Sequence, residues 1–267
     1  MSTHDVVVSS RRAAEQFAFR DLDDLPDEQI DDLDEVEEIE VELVVLALAG
    51  TTVVDDGMVE HAYKLAMDRA GIAIAAEARV SALEFVRENF GRAKDEVLRE
   101  LAADEDQTAR AVGAFEDAFS ELAEREGLEP VPGAERTIRT LRENGVRVAL
   151  TTGLTRCTME TILSALSWND LADVVLCSDD VERGRPYPDL ALTALLRTGT
   201  SSVDSMIVVG DTVSDIESGL AAGAGVTVGV LTGWHDERAL TFAGADAVID
   251  SIADLPALLG LRSDRIG

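Results

Sequence analysis

Apolar positions along the chain keep two rhythms. The first shows in Leu43-Val44-Val45-Leu46-Ala47-Leu48-Ala49, a short run that closes on Gly50-Thr51-Thr52. A run this short and this rich in branched residues predicts a strand over about 42–48, buried on both faces. Such strands belong to parallel α/β sheets, whose ligands sit beyond the carboxyl ends of the strands. A reaction centre is therefore expected near Ala47 to Thr52, although nothing between Leu43 and Thr52 ionises. The second rhythm is helical and predicts helices over Met58–Ala70, Ala78–Asn89, Arg92–Ala103 and Asp106–Glu126. No strand pattern interrupts them, so 58–127 reads as an inserted α-helical cap. From Pro130 onward the rhythms alternate, with strands at Val146–Leu150, Ala172–Cys177, Met206–Gly210, Val226–Val230 and Ala245–Ile249. Helices at Ala134–Glu143, Thr155–Leu166, Pro188–Arg197 and Thr212–Ala222 separate most of them. The expected class is α/β, a doubly wound parallel sheet built from 41–57 and 128–267.

Residues 1–40 break both rhythms. From Asp21 to Glu40, 12 of 20 residues are acidic, the composition of a solvated, disordered extension. The spacing Ile30, Leu33, Val36, Ile39 also allows one weak amphipathic helix. Over the whole chain 53 acids face 23 bases, for a formal charge of −30. Nucleic acid and anionic membrane surfaces would be repelled and are not expected as partners. Only Lys64 and Lys94 are lysine. An acid-rich, lysine-poor chain suits the salt-adapted cytoplasm of a halophile, where screening relieves self-repulsion; a GC-rich genome would give the same arginine bias. No apolar run approaches a membrane span, and no secretory signal opens the chain, so a cytoplasmic protein is expected. Cys157 and Cys177 are too few for a disulfide framework or a cysteine zinc site.

Polar residues of the kinds a phosphate site needs recur at the strand ends. Gly50-Thr51-Thr52 lets backbone N–H groups approach an anion. Thr151-Thr152-Gly153 follows the next strand. Arg185 stands in Gly184-Arg185-Pro186-Tyr187-Pro188, a cation braced by two prolines, and Gly210-Asp211-Thr212-Val213-Ser214-Asp215 places two carboxylates at a helix start. Each has a plain alternative: Thr152, Asp211 and Asp215 as helix caps, Arg185 as a solvated charge. Their placement after successive strands, converging on one crevice, favours a site.

In this order Ala-Gly-Thr-Thr, Ala-Leu-Thr-Thr-Gly, Gly-Arg-Pro-Tyr-Pro and Val-Val-Gly-Asp-Thr-x-x-Asp resemble the haloacid dehalogenase superfamily. More narrowly, they are similar to its phosphonoacetaldehyde hydrolase (phosphonatase)-like branch, over about residues 42–260. The resemblance implies a Rossmann-like core and Mg²⁺-dependent cleavage of a small phosphorylated or phosphonate metabolite. By the same resemblance the Ala49 carbonyl and Asp211 would hold the metal, and Asp215 would steady its waters. Gly50, Thr51, Thr152, Gly153 and Arg185 match the phosphate-binding positions. Phe90-Gly91-Arg92-Ala93-Lys94 resembles the cap motif whose lysine forms a Schiff base with the aldehyde; a solvated helix-surface lysine is the alternative. A homodimer through the cap is allowed by the resemblance and not fixed by it.

One position departs from the pattern. The nucleophilic aspartate's place is held by Ala47, and a methyl group can neither attack phosphorus nor bind a metal. Asp55 and Asp56 are no obvious substitutes, because they follow the turn where the cap linker should begin. Three accounts stay open: a natural homologue that binds without turnover, a deliberate substitution in an active enzyme, or weak hydrolysis by water on a metal at Asp211 and Asp215. A different class, a binding or regulatory protein sensing a phosphometabolite through Thr152, Arg185 and Asp211, is the alternative function. His4, His61 and His235 are scattered and read as solvated, Trp168 and Trp234 as packing.

Overall fold

The computed structural model describes residues 6–7, 38–73 and 75–261. Two short strands, β1 (Val6–Val7) and β2 (Glu38–Ile39), pair antiparallel near the start. The rest of the acidic extension lies outside the described residues, and with it most of the amphipathic helix considered there.

The main sheet is built from β3 (Leu43–Ala47), β4 (Arg147–Thr151), β5 (Val174–Leu176), β6 (Met206–Gly210), β7 (Val226–Val230) and β8 (Ala247–Ile249). The strands lie in the order β5-β4-β3-β6-β7-β8, and every pair is parallel. The doubly wound parallel sheet read from the sequence is present. All five residues of β3 are buried because helices cover both faces. Burying each large apolar side chain there contributes roughly 1.5–3 kcal/mol. The chain leaves β3 toward β4 on one side and returns on the other as β6. That reversal of strand order puts the crevice beyond β3, β4 and β6 at the centre of the sheet.

Between β3 and the sheet's next helix run α1 (Met58–Ala70), α2 (Ala76–Glu88), α3 (Lys94–Leu101) and α4 (Glu105–Glu126). Tyr63 and Met67 of α1 and Phe115 and Phe119 of α4 are buried in the same apolar cluster as Val44 and Leu46 of β3. This helical region therefore shares its core with one face of the sheet. Tyr63 meets Phe115 edge-on, ring centroids 5.0 Å apart, a favoured aromatic arrangement.

After the helical region come α5 (Ala134–Glu143), α6 (Arg156–Leu166), α7 (Asp189–Thr198) and α8 (Val213–Ala222). Two further elements were not legible in the apolar rhythm: α9 (Glu237–Phe242), capped by Asp236, and the short α10 (Leu255–Leu258). Both are too short to show a helical stripe. Trp168 is buried, and its indole N–H donates to Glu135, so it packs as expected. Cys177 is buried just past β5, whereas Cys157 is exposed. Among the described residues no helix is long and apolar enough to cross a membrane.

Candidate active site

At the carboxyl ends of β3, β4 and β6 lies a cavity of about 200 Å³. Ala49 and Gly50 line it from the loop after β3, Thr152 and Gly153 from the loop after β4, Asp211 from the turn after β6, and Asp215 from α8. Arg185 enters from the loop before α7, and Lys94 from the first turn of α3. Eight of the residues singled out in the sequence thus share one wall. Two do not. Thr51 is buried behind the wall, where its hydroxyl donates to Asp211 Oδ1 at 2.9 Å. Ala47 is buried at the end of β3, its carbonyl accepting the Thr52 hydroxyl at 2.9 Å.

Glycines make this convergence possible. Gly50 has φ +81°, and a Cβ there would lie 2.2 Å from Asp211 Oδ2. Any side chain would displace the carboxylate, so only glycine lets the loop press this close. Gly91 has φ +92°, and its Cβ would lie 2.2 Å from Thr212 Oγ1. The loop before α3 is also tied to the sheet by the Lys94 amide, which donates to the Gly153 carbonyl at 2.9 Å.

The carboxylates are held firmly. Asp211 accepts from Thr51 Oγ1 and from the Trp234 amide at 3.0 Å. Asp215 Oδ2 accepts from the Thr212 amide and hydroxyl, and Thr212 in turn caps the Asp215 amide, a reciprocal box that opens α8. The capping role foreseen for Asp215 is therefore real and coexists with its place on the wall. Asp215 Oδ1 also meets Arg185 Nη1 at 2.7 Å, both side chains buried. The other end of the guanidinium donates to the Thr151 hydroxyl at 2.6 Å. Arg185 is thus a buried, paired cation, and not the solvated charge offered as the alternative. Thr152 accepts the Leu154 amide at 3.1 Å, which orders the turn before α6.

Burial and the Asp215 carboxylate hold Asp211 well above the ordinary carboxylate range. Two neighbouring buried carboxylates, with only one guanidinium paired to them, are relieved by a further cation. The donors that the resemblance assigns, Asp211, Asp215 and the Ala49 carbonyl, all belong to residues lining the cavity and are hard oxygens, a set that suits Mg²⁺ with retained waters. Among the described residues no three His, Cys, Asp or Glu side chains could hold a metal by themselves. The fit therefore depends on the Ala49 backbone and on water.

Lys94 is 5% exposed. Its Nζ lies 5.6 Å from the Tyr63 ring centroid and 5.4 Å from that of Phe90, and donates to the Arg92 carbonyl at 3.5 Å. Burial in this aromatic setting pushes the ammonium down to about 8, against the opposing pull of the Asp55 carboxylate. The solvated-lysine alternative does not survive this placement.

Three features escaped the sequence. Asp55 and Asp56, set aside as linker residues, both line the cavity, because the turn after β3 curls back over the strand ends. Asp55 Oδ1 accepts the Val59 amide at 3.0 Å at the start of α1. Trp234, read as packing, stacks on Phe90 with ring centroids 4.1 Å apart and 7° between planes, and both rings line the cavity. His235, read as solvated, is half-buried; its Nδ1 accepts the Val213 amide at 3.2 Å, and burial lowers its proton affinity. His61 is exposed. His4 lies outside the described residues. Trp234 and His235 follow β7, and that strand-end position was the available signal.

The comparisons with known proteins agree with this geometry. A haloacid dehalogenase-like hydrolase family matches residues 41–223. The chain is 31% identical over 209 residues to a phosphonoacetaldehyde hydrolase of Bacillus cereus, covering 73% of this chain and 77% of that one. It is 35% identical over 159 residues to the phosphonoacetaldehyde hydrolase of Hahella chejuensis, covering 50% and 53%. Among solved structures, a phosphonoacetaldehyde hydrolase-like protein of Oleispira antarctica aligns with TM-score 0.69 and 27% identity, over 82% of this chain and 91% of that one. A hydrolase from Pseudomonas syringae shares the fold at TM-score 0.71 and 24% identity, over 81% and 96%. Strand order, the motifs at the strand ends and these relatives together place the chain in the haloacid dehalogenase-like hydrolase family, within its phosphonatase-like branch.

Proposed function

We propose that this cavity binds a small phosphonyl or phosphoryl aldehyde beside Mg²⁺ and holds its carbonyl carbon against Lys94. One observation carries the reading: a buried lysine, lowered toward neutrality, lines the same cavity as a buried arginine and a pair of carboxylates. Asp211 and the Ala49 carbonyl would hold the metal, with Asp215 steadying its waters; when bound, Mg²⁺ offsets charge on the phosphoryl oxygens. Thr152 and Arg185 orient those oxygens, with the Gly50 and Gly153 backbone close beside them, while Thr51 holds Asp211 from behind the wall. The Lys94 amine adds to the aldehyde and water leaves, giving an imine. Helices α1–α4 serve as the cap, and Phe90 stacked on Trp234 limits the cavity to small ligands. The protein works in a salt-adapted cytoplasm; nucleic acid and membranes are not partners.

Ala47 sets the limit of this chemistry. No carboxylate stands where the family's nucleophile would stand, so the site binds and forms the imine without the ordinary attack on phosphorus. A purely binding or regulatory role is the second reading, and Ala47 is the observation that favours it. The test measures Mg²⁺-dependent phosphate release from phosphonoacetaldehyde and a panel of phosphate esters in high salt, for the unmodified chain, Ala47→Asp and Asp211→Ala. Release gained in Ala47→Asp and absent from the unmodified chain supports the reading. Release by the unmodified chain that disappears in Asp211→Ala overturns the limit and assigns attack to water at the metal. No release from any form, with no phosphonoacetaldehyde bound, overturns the reading as a whole.

A further inference from the structure

Four carboxylates and two cationic side chains line the cavity. Asp211 and Asp215 are spoken for by Thr51, Trp234, Thr212 and Arg185. Asp56 is exposed at the rim. Asp55 differs from all three. It is oriented by the α1 N-terminus through the Val59 amide, and it lines the same cavity as Lys94. Its charge is the foremost electrostatic influence on that lysine. Capping α1 explains why the side chain is ordered, and it leaves the rest of the carboxylate to the cavity's contents.

We propose that Asp55 and Lys94 work as an amine–carboxylate pair that removes and returns a proton at the carbon next to the carbonyl of a small anionic aldehyde. This rests on the imine reading above and adds an activity that needs no nucleophile at position 47. The Lys94 amine condenses with the aldehyde, water departs, and the imine nitrogen stays protonated. The adjacent C–H then gives its proton to the Asp55 carboxylate. The C–H electron pair becomes the C=C bond of an enamine, and the C=N π pair returns to nitrogen. Asp55, now a carboxylic acid that equilibrates with solvent, protonates the same carbon, and water releases the aldehyde. Nothing is oxidised or reduced, and no co-reactant beyond water is consumed.

The surroundings suit such a step. Lys94 is buried beside the Tyr63 and Phe90 rings, and its loss of water favours the neutral amine that condensation needs. Burial holds the Asp55 carboxyl above its ordinary value despite the opposing pulls of Val59 and Lys94. A carboxylate of raised proton affinity is the stronger base.

The experiment follows deuterium entering C2 of phosphonoacetaldehyde in D₂O at high salt by ¹H and ³¹P NMR, with borohydride trapping and peptide mapping run in parallel. The full-length chain, Asp55→Asn and Lys94→Arg are compared with buffer alone. The unmodified chain should exchange C2 and give an adduct at Lys94. Asp55→Asn keeps an amide oxygen to cap α1, so it should still give the adduct while exchange falls by about 100-fold or more, the usual loss for a general base. Lys94→Arg should lose both. Exchange in Asp55→Asn at the unmodified rate overturns the proposal, as does an unmodified chain that forms the adduct without exchange above buffer; both leave the imine reading standing. Absence of any adduct at Lys94 in the unmodified chain removes the imine reading and this proposal together.

Discussion

The sharpest quantitative consequence of the site concerns Lys94. An ordinary lysine has a value of 10.5, and burial brings Lys94 to about 8. At pH 7 an ordinary lysine is about 0.03% free amine, whereas one at 8 is about 9%, a gain of about 300-fold. Only the free amine attacks an aldehyde, so trapping by borohydride should rise with pH through a midpoint near 8 and level off above 9. Lys94 is one of two lysines in the chain. The other, Lys64, is tied to Glu60 on α1. Peptide mapping after trapping in metal-free protein separates the two lysines from each other and from the α-amino terminus. Asp55→Asn tests the direction of the shift. The Asp55 carboxylate favours the ammonium, so its loss should move the midpoint below that of the unmodified protein. A midpoint at 10 or higher for Lys94, or an adduct that forms equally at Lys64, would refute the account of burial as the cause.

Two further outcomes test the anionic half of the site. Added Mg²⁺ at about 100 times its dissociation constant should stabilise the fold by about 2.7 kcal/mol. For a chain of this size that raises the thermal midpoint by about 5–10 °C; Asp211→Asn should abolish the rise, and an undiminished rise would move the metal elsewhere. Arg185→Met leaves Asp215 buried without its guanidinium and should destabilise the protein by about 3–5 kcal/mol in chemical denaturation. Arg185→Met combined with Asp215→Leu should recover part of that loss; a single variant within about 0.5 kcal/mol of the unmodified chain would show that the pair is solvated.

Much of the fold was legible because parallel strands are buried on both faces. Runs such as Met206–Gly210 and Val226–Val230 carry almost no polar residue, and their bounds coincide with the observed strands. The helix Met58–Ala70 was equally plain, since its apolar positions recur at helical spacing. Where these signals weaken, so did the reading. The strand expected at Ala172–Cys177 narrows to Val174–Leu176 at the sheet edge, where one neighbour is missing. In α9 the burial is confined to Leu240, too little for a periodic pattern.

The sequence alone determined the class of fold, the order of its strands and helices, and the motif residues, because burial and spacing are local properties of the chain. Ala47, the missing carboxylate, was visible in the same way. What only the tertiary structure decided is which groups face each other across the cavity. Asp55 returns to it because the turn after β3 folds back, and Trp234 meets Phe90 although 144 positions separate their numbers. Lys94 acquires its lowered proton affinity from burial among side chains of several segments, against the opposing pull of the Asp55, Asp211 and Asp215 carboxylates. Electrostatic environment depends on distance in space and on exclusion of water, and neither is written in the order of residues.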